Sequence, residues 1–151
     1  MSEALVSIIG LADVQKMLAE MPKHVVVSGF AKALNAGATV IEQTLQVLTP
    51  ESELDRDDGQ HMVDSLVIDV QVDSNGRGGY AEVGYGKQGY KANLVEYGHV
   101  MVTHKNQGSR EVGFVPPHPF MRPAFEQSSD AAIAAVQESI LQTVDQEYPN
   151  G

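Results

Sequence analysis

The chain contains no cysteine. Without a thiol there is no disulfide, no thiolate metal site and no cysteine nucleophile, and nothing argues for an oxidising compartment. Positive charge is also scarce, with 10 Lys and Arg against 20 Asp and Glu for a formal net charge of −10. Tight binding to a phosphate backbone depends on cations that displace counterions, so this balance argues against a dedicated nucleic-acid binder. No uninterrupted apolar run is long enough to cross a membrane, so no membrane partner is expected. The opening "MSEALVSIIGLADV" lacks a basic n-region and a small-residue cleavage site, so no export signal is expected and cytosolic synthesis is the default.

What is present fits one soluble α+β domain over 1–151, since 151 residues with 42% hydrophobic content suffice for a single core. Leu11, Val14, Leu18 and Met21 recur at helical steps and predict a brief first helix. Pro22 then leads into the strongest stripe in the chain, Val26, Phe30, Leu34, Ala38, Ile41, Leu45 and Leu48, which predicts a long helix ended by Pro50. Ala33, Ala36, Gly37 and Ala38 leave one side of it small enough for close approach. A polar stretch with Gly59 predicts a mobile loop over about 50–61. "MVDSLVIDVQVD" and "YAEVGYG" alternate around the turn signal "SNGRGG", the pattern of an antiparallel hairpin. "YKANLVEYGH" fits either a short helical turn or a third strand, a helical turn capped by Gly98 being the preferred reading, and about 99–115 reads as a second hairpin with a locally basic tip at Lys105 and Arg110. A final helix opens at Pro123, Ala124 and Phe125 and carries Ile133, Val136, Ile140 and Val144 as its apolar stripe. Long N-terminal and C-terminal helices packed on one face of a small antiparallel sheet are the expected architecture. Residues 51–82 hold nine acidic side chains against Arg56 and Arg77, a net of 2 − 9 = −7, which reads as a solvated face or as a surface that must not stick to a passing polyanion.

No catalytic constellation stands out. Glu96, His99, His104 and His118 offer carboxylate and imidazole, the usual zinc ligands, and a small metal-dependent hydrolase is the reading they would support. They lack metal-helix spacing, however, and no metal or other cofactor is expected. Ser65, His99 and Asp69 lack a nucleophile elbow. The glycines of "GRGGYAEVGYG" lack the Lys-Ser/Thr and the helix of a phosphate loop, so a tight turn explains them better. Tyr80, Tyr85, Tyr90 and Tyr97 fit either an exposed partner surface or core and strand-edge positions.

"VPPHPFMRPAFEQ" places Pro116, Pro117, Pro119 and Pro123 just ahead of the last helix. The first three restrict the chain to extended conformations, while Pro123 is harmless in a first helical turn. Phe120 and Phe125 are expected to be buried anchors and Arg122 the ionic partner of a carboxylate, Glu96 being the candidate. Together with "MPKHVVVSGFAKALNAGATVIEQTLQVLTP", "DGQHMVDSLVIDV" and "NLVEYGHV", this stretch resembles the tail-completion proteins of long-tailed double-stranded DNA bacteriophages over about residues 10 to 145. The motif positions carrying the resemblance are Glu96, Tyr97, Gly98, Pro119, Phe120, Arg122, Pro123 and Ala124. His99 stands where the family usually has Thr.

The resemblance implies a non-enzymatic virion protein with no catalytic residues, made in the host cytoplasm and assembled as a homo-oligomeric, hexameric ring at the neck. Its neighbours there would be the head-tail connector or stopper and the tail terminator or tail tube, with DNA passing through without being tightly bound. Ala33, Gly37, Tyr80, Tyr85 and Tyr90 are the candidate subunit contacts. A tail terminator or minor tail protein is the alternative within the same class.

Overall fold

The computed structural model describes residues 19–51, 61–105 and 108–147. The brief helix expected before Met21 is described only at residues 19 and 20, which are helical, and the core of the predicted 50–61 loop lies outside the described residues.

Helix α1 spans Lys23–Leu48, 26 residues and roughly 39 Å at ~1.5 Å per residue. Pro22 stands just outside its first turn, and the Pro22 carbonyl accepts the Val25 and Val26 N–H groups. At the other end Thr49 leaves the helical region (φ −64°, ψ 120°) because the residue before a proline is driven to extended backbone. By length and composition α1 matches a membrane span, although its sequence has no unbroken apolar run. Its setting here is that of a central core helix.

A short 3-10 turn, Val63–Ser65, leads into β1 (Leu66–Val72), which pairs antiparallel with β2 (Gly79–Tyr85). Half-burial alternates along β1, so Leu66, Ile68, Val70 and Val72 face inward while Val67, Asp69 and Gln71 face water. The turn closes through Gly76 N–H to the Asp73 carbonyl (2.9 Å), with Gly76 at φ +68°, a conformation glycine adopts without strain. The hairpin rests directly on α1. A Cβ at Gly79 would meet the Phe30 and Leu34 side chains at 3.1 and 3.2 Å.

Helix α2 (Gly89–Tyr97) follows, then β3 (His99–Lys105) and β4 (Gly108–Val115), a second antiparallel hairpin, and finally α3 (Met121–Glu147). The α+β architecture read from the sequence is found, with one refinement. Among the described residues the strands form two separate two-stranded ladders, because α2 and the turn at Gly98 carry the chain away from the first before the second begins. The long helices also pack chiefly on each other, with α1 lying between α3 and the β1–β2 hairpin.

The α1–α3 contact corrects the predicted stripe on α3 in part: Val136 and Val144 are half-buried, and Val136 packs against Gly37, but the two isoleucines turn out. The buried residues of α3 are Ala124, Ser128, Ala132 and Ser139, whereas Ile133 and Ile140 are exposed. Small side chains on both helices let their backbones approach, and that gain outweighs turning the larger isoleucines inward. Ala33 is fully buried and Gly37 touches Val136 and the Ala132 carbonyl. A Cβ at Gly37 would stand 2.6 Å from Val136 Cγ2 and 3.1 Å from the Ala132 oxygen. Gly37→Ala is therefore expected to lose about 1–3 kcal/mol through overpacking, read as a lower denaturation midpoint with an unchanged m-value.

Candidate functional site

The motif positions converge on one junction, where the end of α2 meets the start of α3. Glu96 is buried at 5% exposure, and its carboxylate faces the first turn of α3. Its Oε2 accepts the Phe120 N–H at 2.7 Å and the Met121 N–H at 2.9 Å, and its Oε1 accepts the Arg122 N–H at 3.3 Å. The next residue, Pro123, has no N–H, and Ala124 begins the helical ladder by donating to the Phe120 carbonyl at 3.0 Å. A helix start leaves its first donors without partners. Here a single carboxylate from 24 to 26 residues upstream satisfies every one that exists, and its charge complements the positive end of the helix.

Burial alone would push the Glu96 carboxyl up. The three backbone N–H groups and the nearby Arg122 charge outweigh it and hold the group below its ordinary value of 4.5. The ion pair expected between Glu96 and Arg122 is thereby corrected. Arg122 reaches Glu96 through its backbone, because its side chain on the first turn points to solvent while its N–H points back along the axis.

Neighbouring atoms lock the junction. The His118 N–H donates to the Val95 carbonyl at 2.8 Å. Gly98 sits at φ +71°, and a Cβ there would meet the Val115 carbonyl at 2.6 Å and the Pro117 nitrogen at 2.8 Å, so both conformation and space require glycine. Phe120, 2% exposed, packs with Leu45, Ala92 and Ala124, and the Tyr85 ring meets it edge-on at 6.0 Å between centroids. The Tyr85 hydroxyl is hydrogen-bonded to Thr49 Oγ1, joining β2 to the end of α1. Burial raises the Tyr85 phenol, the Thr49 hydrogen bond opposes the rise, and the charge of Glu96 adds to it.

The remaining candidates divide. Ala33 is buried and Gly37 lies against α3 within the same chain, and Tyr85 is half-buried against the core. Their small size or their aromatic ring serves intramolecular packing. Tyr80, Tyr90 and Tyr97 are exposed, as is Pro119. Phe125, expected as a buried anchor, is 58% exposed because it lies on the side of α3 turned away from Ala124 and Ser128. Glu96 is committed to helix N–H groups, and among the described residues no three His, Asp or Glu side chains are grouped to hold a metal. Ser65 Oγ donates to the Met62 carbonyl at 2.8 Å, and Asp69 faces water on β1. Sequence reasoning missed Thr49 and the exposed apolar face of β3 and β4. The latter was legible as alternation in "HVMVTHK", but alternation does not say whether anything covers it.

A family model described as "Bacteriophage HK97-gp10, putative tail-component" matches residues 12–98, more than half of the chain. The match ends at Gly98, so it includes Glu96 but not the helix start that Glu96 caps. No curated protein and no solved structure is significantly similar to the chain.

The depressed Glu96 carboxyl adds stability that is complete above about pH 4.5 and is lost as pH falls through its lower folded value. Glu96→Gln presents one accepting oxygen in place of two and leaves buried N–H groups without partners. A loss of about 3 kcal/mol is expected at neutral pH, together with a flatter acid limb of stability, both measurable by denaturant titration across pH.

Proposed function

The chain belongs to the family of bacteriophage HK97-gp10 tail components, and from that membership we propose that it is a non-enzymatic tail-completion protein, assembled as a hexameric ring that joins the tail to the head-tail connector. The ring encircles the channel through which DNA passes, its neighbours are the connector or stopper on one side and the terminator or tail tube on the other, and it assembles in the host cytoplasm before entering the virion. Family membership is the observation that carries this reading.

The charge distribution supports it. On the outer face of the β1–β2 hairpin Asp69 stands directly opposite Glu82, and both are exposed. Like charges in a cross-strand pair are destabilising, so stability does not account for them. A channel wall does, since a surface that repels phosphates lets DNA slide without being held. In this reading the outer face of the hairpin lines the lumen.

Two measurements test the proposal. Loss of the protein from the phage that carries it should leave DNA-filled heads and complete, unjoined tails in electron micrographs; tails of irregular length would instead indicate the terminator role. Asp69→Lys converts a like-charge pair into an opposite one and should raise stability by roughly 0.5 kcal/mol. The same change should slow DNA ejection in a salt-dependent way, and ejection at the wild-type rate would remove this hairpin from the lumen.

A further inference from the structure

The turn between β1 and β2 carries the dipeptide Asn75-Gly76, and each residue has a structural task there. Gly76 stands at φ +68°, and a Cβ on it would lie 2.8 Å from Val26 Cγ1 on α1, so backbone and space both ask for glycine. Asn75 is exposed, and its Oδ1 accepts the Arg77 N–H at 2.9 Å, the local bond by which asparagine closes turns.

The same arrangement sets up a reaction within the chain. Asparagine is among the thermolabile residues, because its side-chain carbon lies within reach of the next backbone nitrogen. A following glycine leaves that approach open, and the reacting groups belong to one short stretch of chain, so the step is intramolecular. The turn also supplies a donor. Attack on Asn75 Cγ places negative charge on Oδ1, and the Arg77 N–H is at a distance suited to stabilising that charge as it develops. One contact opposes the reaction: the Gly76 N–H donates to the Asp73 carbonyl at 2.9 Å and engages the attacking nitrogen while the turn is closed. This bond lies at an exposed hairpin tip, and such contacts open locally while the core stays folded.

We propose that Asn75 is a site of spontaneous covalent modification, converting to aspartate and isoaspartate through a cyclic imide formed with Gly76. The Gly76 nitrogen gives up its proton and bonds to Asn75 Cγ; the Cγ–Nδ2 bond breaks, and the amino group leaves with a proton as ammonia. Water then opens the imide. Addition at Cγ breaks the new bond and leaves aspartate. Addition at the Asn75 carbonyl carbon breaks the original peptide bond and leaves the main chain running through Cγ. Nothing is oxidised or reduced; water is consumed and ammonia released. Either product adds a carboxylate to a turn that already holds Asp73. The isoaspartyl form also lengthens the backbone by a methylene where a Cβ on Gly76 would have no room against Val26, and so strains the seat of the hairpin on α1.

The full chain, kept folded at mildly alkaline pH and sampled over weeks, tests this by mass spectrometry. Trypsin releases residues 57–77, a peptide in which Asn75 is the only asparagine. That peptide should gain the mass difference between an amino and a hydroxyl group, and fragmentation should place the gain at residue 75. Asp58-Gly59 isomerises without a mass change, so mass is the deciding readout. Asn35 and Asn93, held in α1 and α2 and followed by residues with side chains, should stay intact. Asn75→Gln, with an unchanged melting curve, should abolish the gain. A synthetic peptide of residues 57–77 gives the reference rate. If it converts fully while the folded protein keeps its mass, the closed turn protects Asn75 and the proposal fails; a gain placed on Gln60 or Gln71 also defeats it. Asn150-Gly151 repeats the dipeptide, and an Asn150→Gln background keeps it out of charge separation. In that background the isoaspartyl form, isolated by anion exchange, should melt at a lower temperature than the unmodified chain, and an equal midpoint would overturn the strain on α1.

Discussion

A buried carboxylate that accepts three backbone N–H groups holds the two halves of this chain together. Glu96 ends one short helix and begins another, long one, although the two are separated by a complete hairpin. The arrangement explains why prolines crowd the approach to α3. Pro116, Pro117 and Pro119 fix an extended entry that brings Phe120 into the core beside Leu45, while Pro123 removes the one donor that the carboxylate does not reach. Once Phe120 is seated, the axis of α3 is set, and Thr143 closes on Gly29 while Ala132 and Val136 close on Gly37 along α1.

Most of the elements are legible in the sequence because they follow local rules. The stripe from Val26 to Leu48, the "SNGRGG" turn and the glycine that stops α2 each arise from periodicity or from backbone freedom within a few residues. What local rules could not supply was the choice of buried face where two faces compete. On α3 a row of large aliphatics and a row of Ala and Ser run side by side, and hydrophobicity alone favours the isoleucines. Close packing against a small-residue partner favours the other row. Phe125 follows the same rotation and emerges at the surface. The Glu96 pairing was found with the right carboxylate and the wrong partner group, since charge patterns show side chains and not the free N–H groups of a helix start.

The surface is divided along similar lines. Acid covers the outer face of the first hairpin and the exposed side of α3, while the second hairpin carries Lys105 and Arg110 against Glu111. The two hairpins have comparable lengths and the same antiparallel pairing, yet they differ in what they bury. β1–β2 has its apolar side against α1, while among the described residues no other element packs substantially against β3–β4. A two-stranded hairpin standing by itself is marginal at best in water.

The clamp between Glu96 and the start of α3 brings the two ends of the intervening segment together independently of what that segment contains. Residues 99–115 thus behave as a cassette. Closing a longer loop across a fixed base costs only about 0.6 kcal/mol for each doubling of its length, so evolution can lengthen, shorten or recharge this segment while the two long helices and their shared core stay as they are. The part of the molecule freest to change is held by the part that is least free.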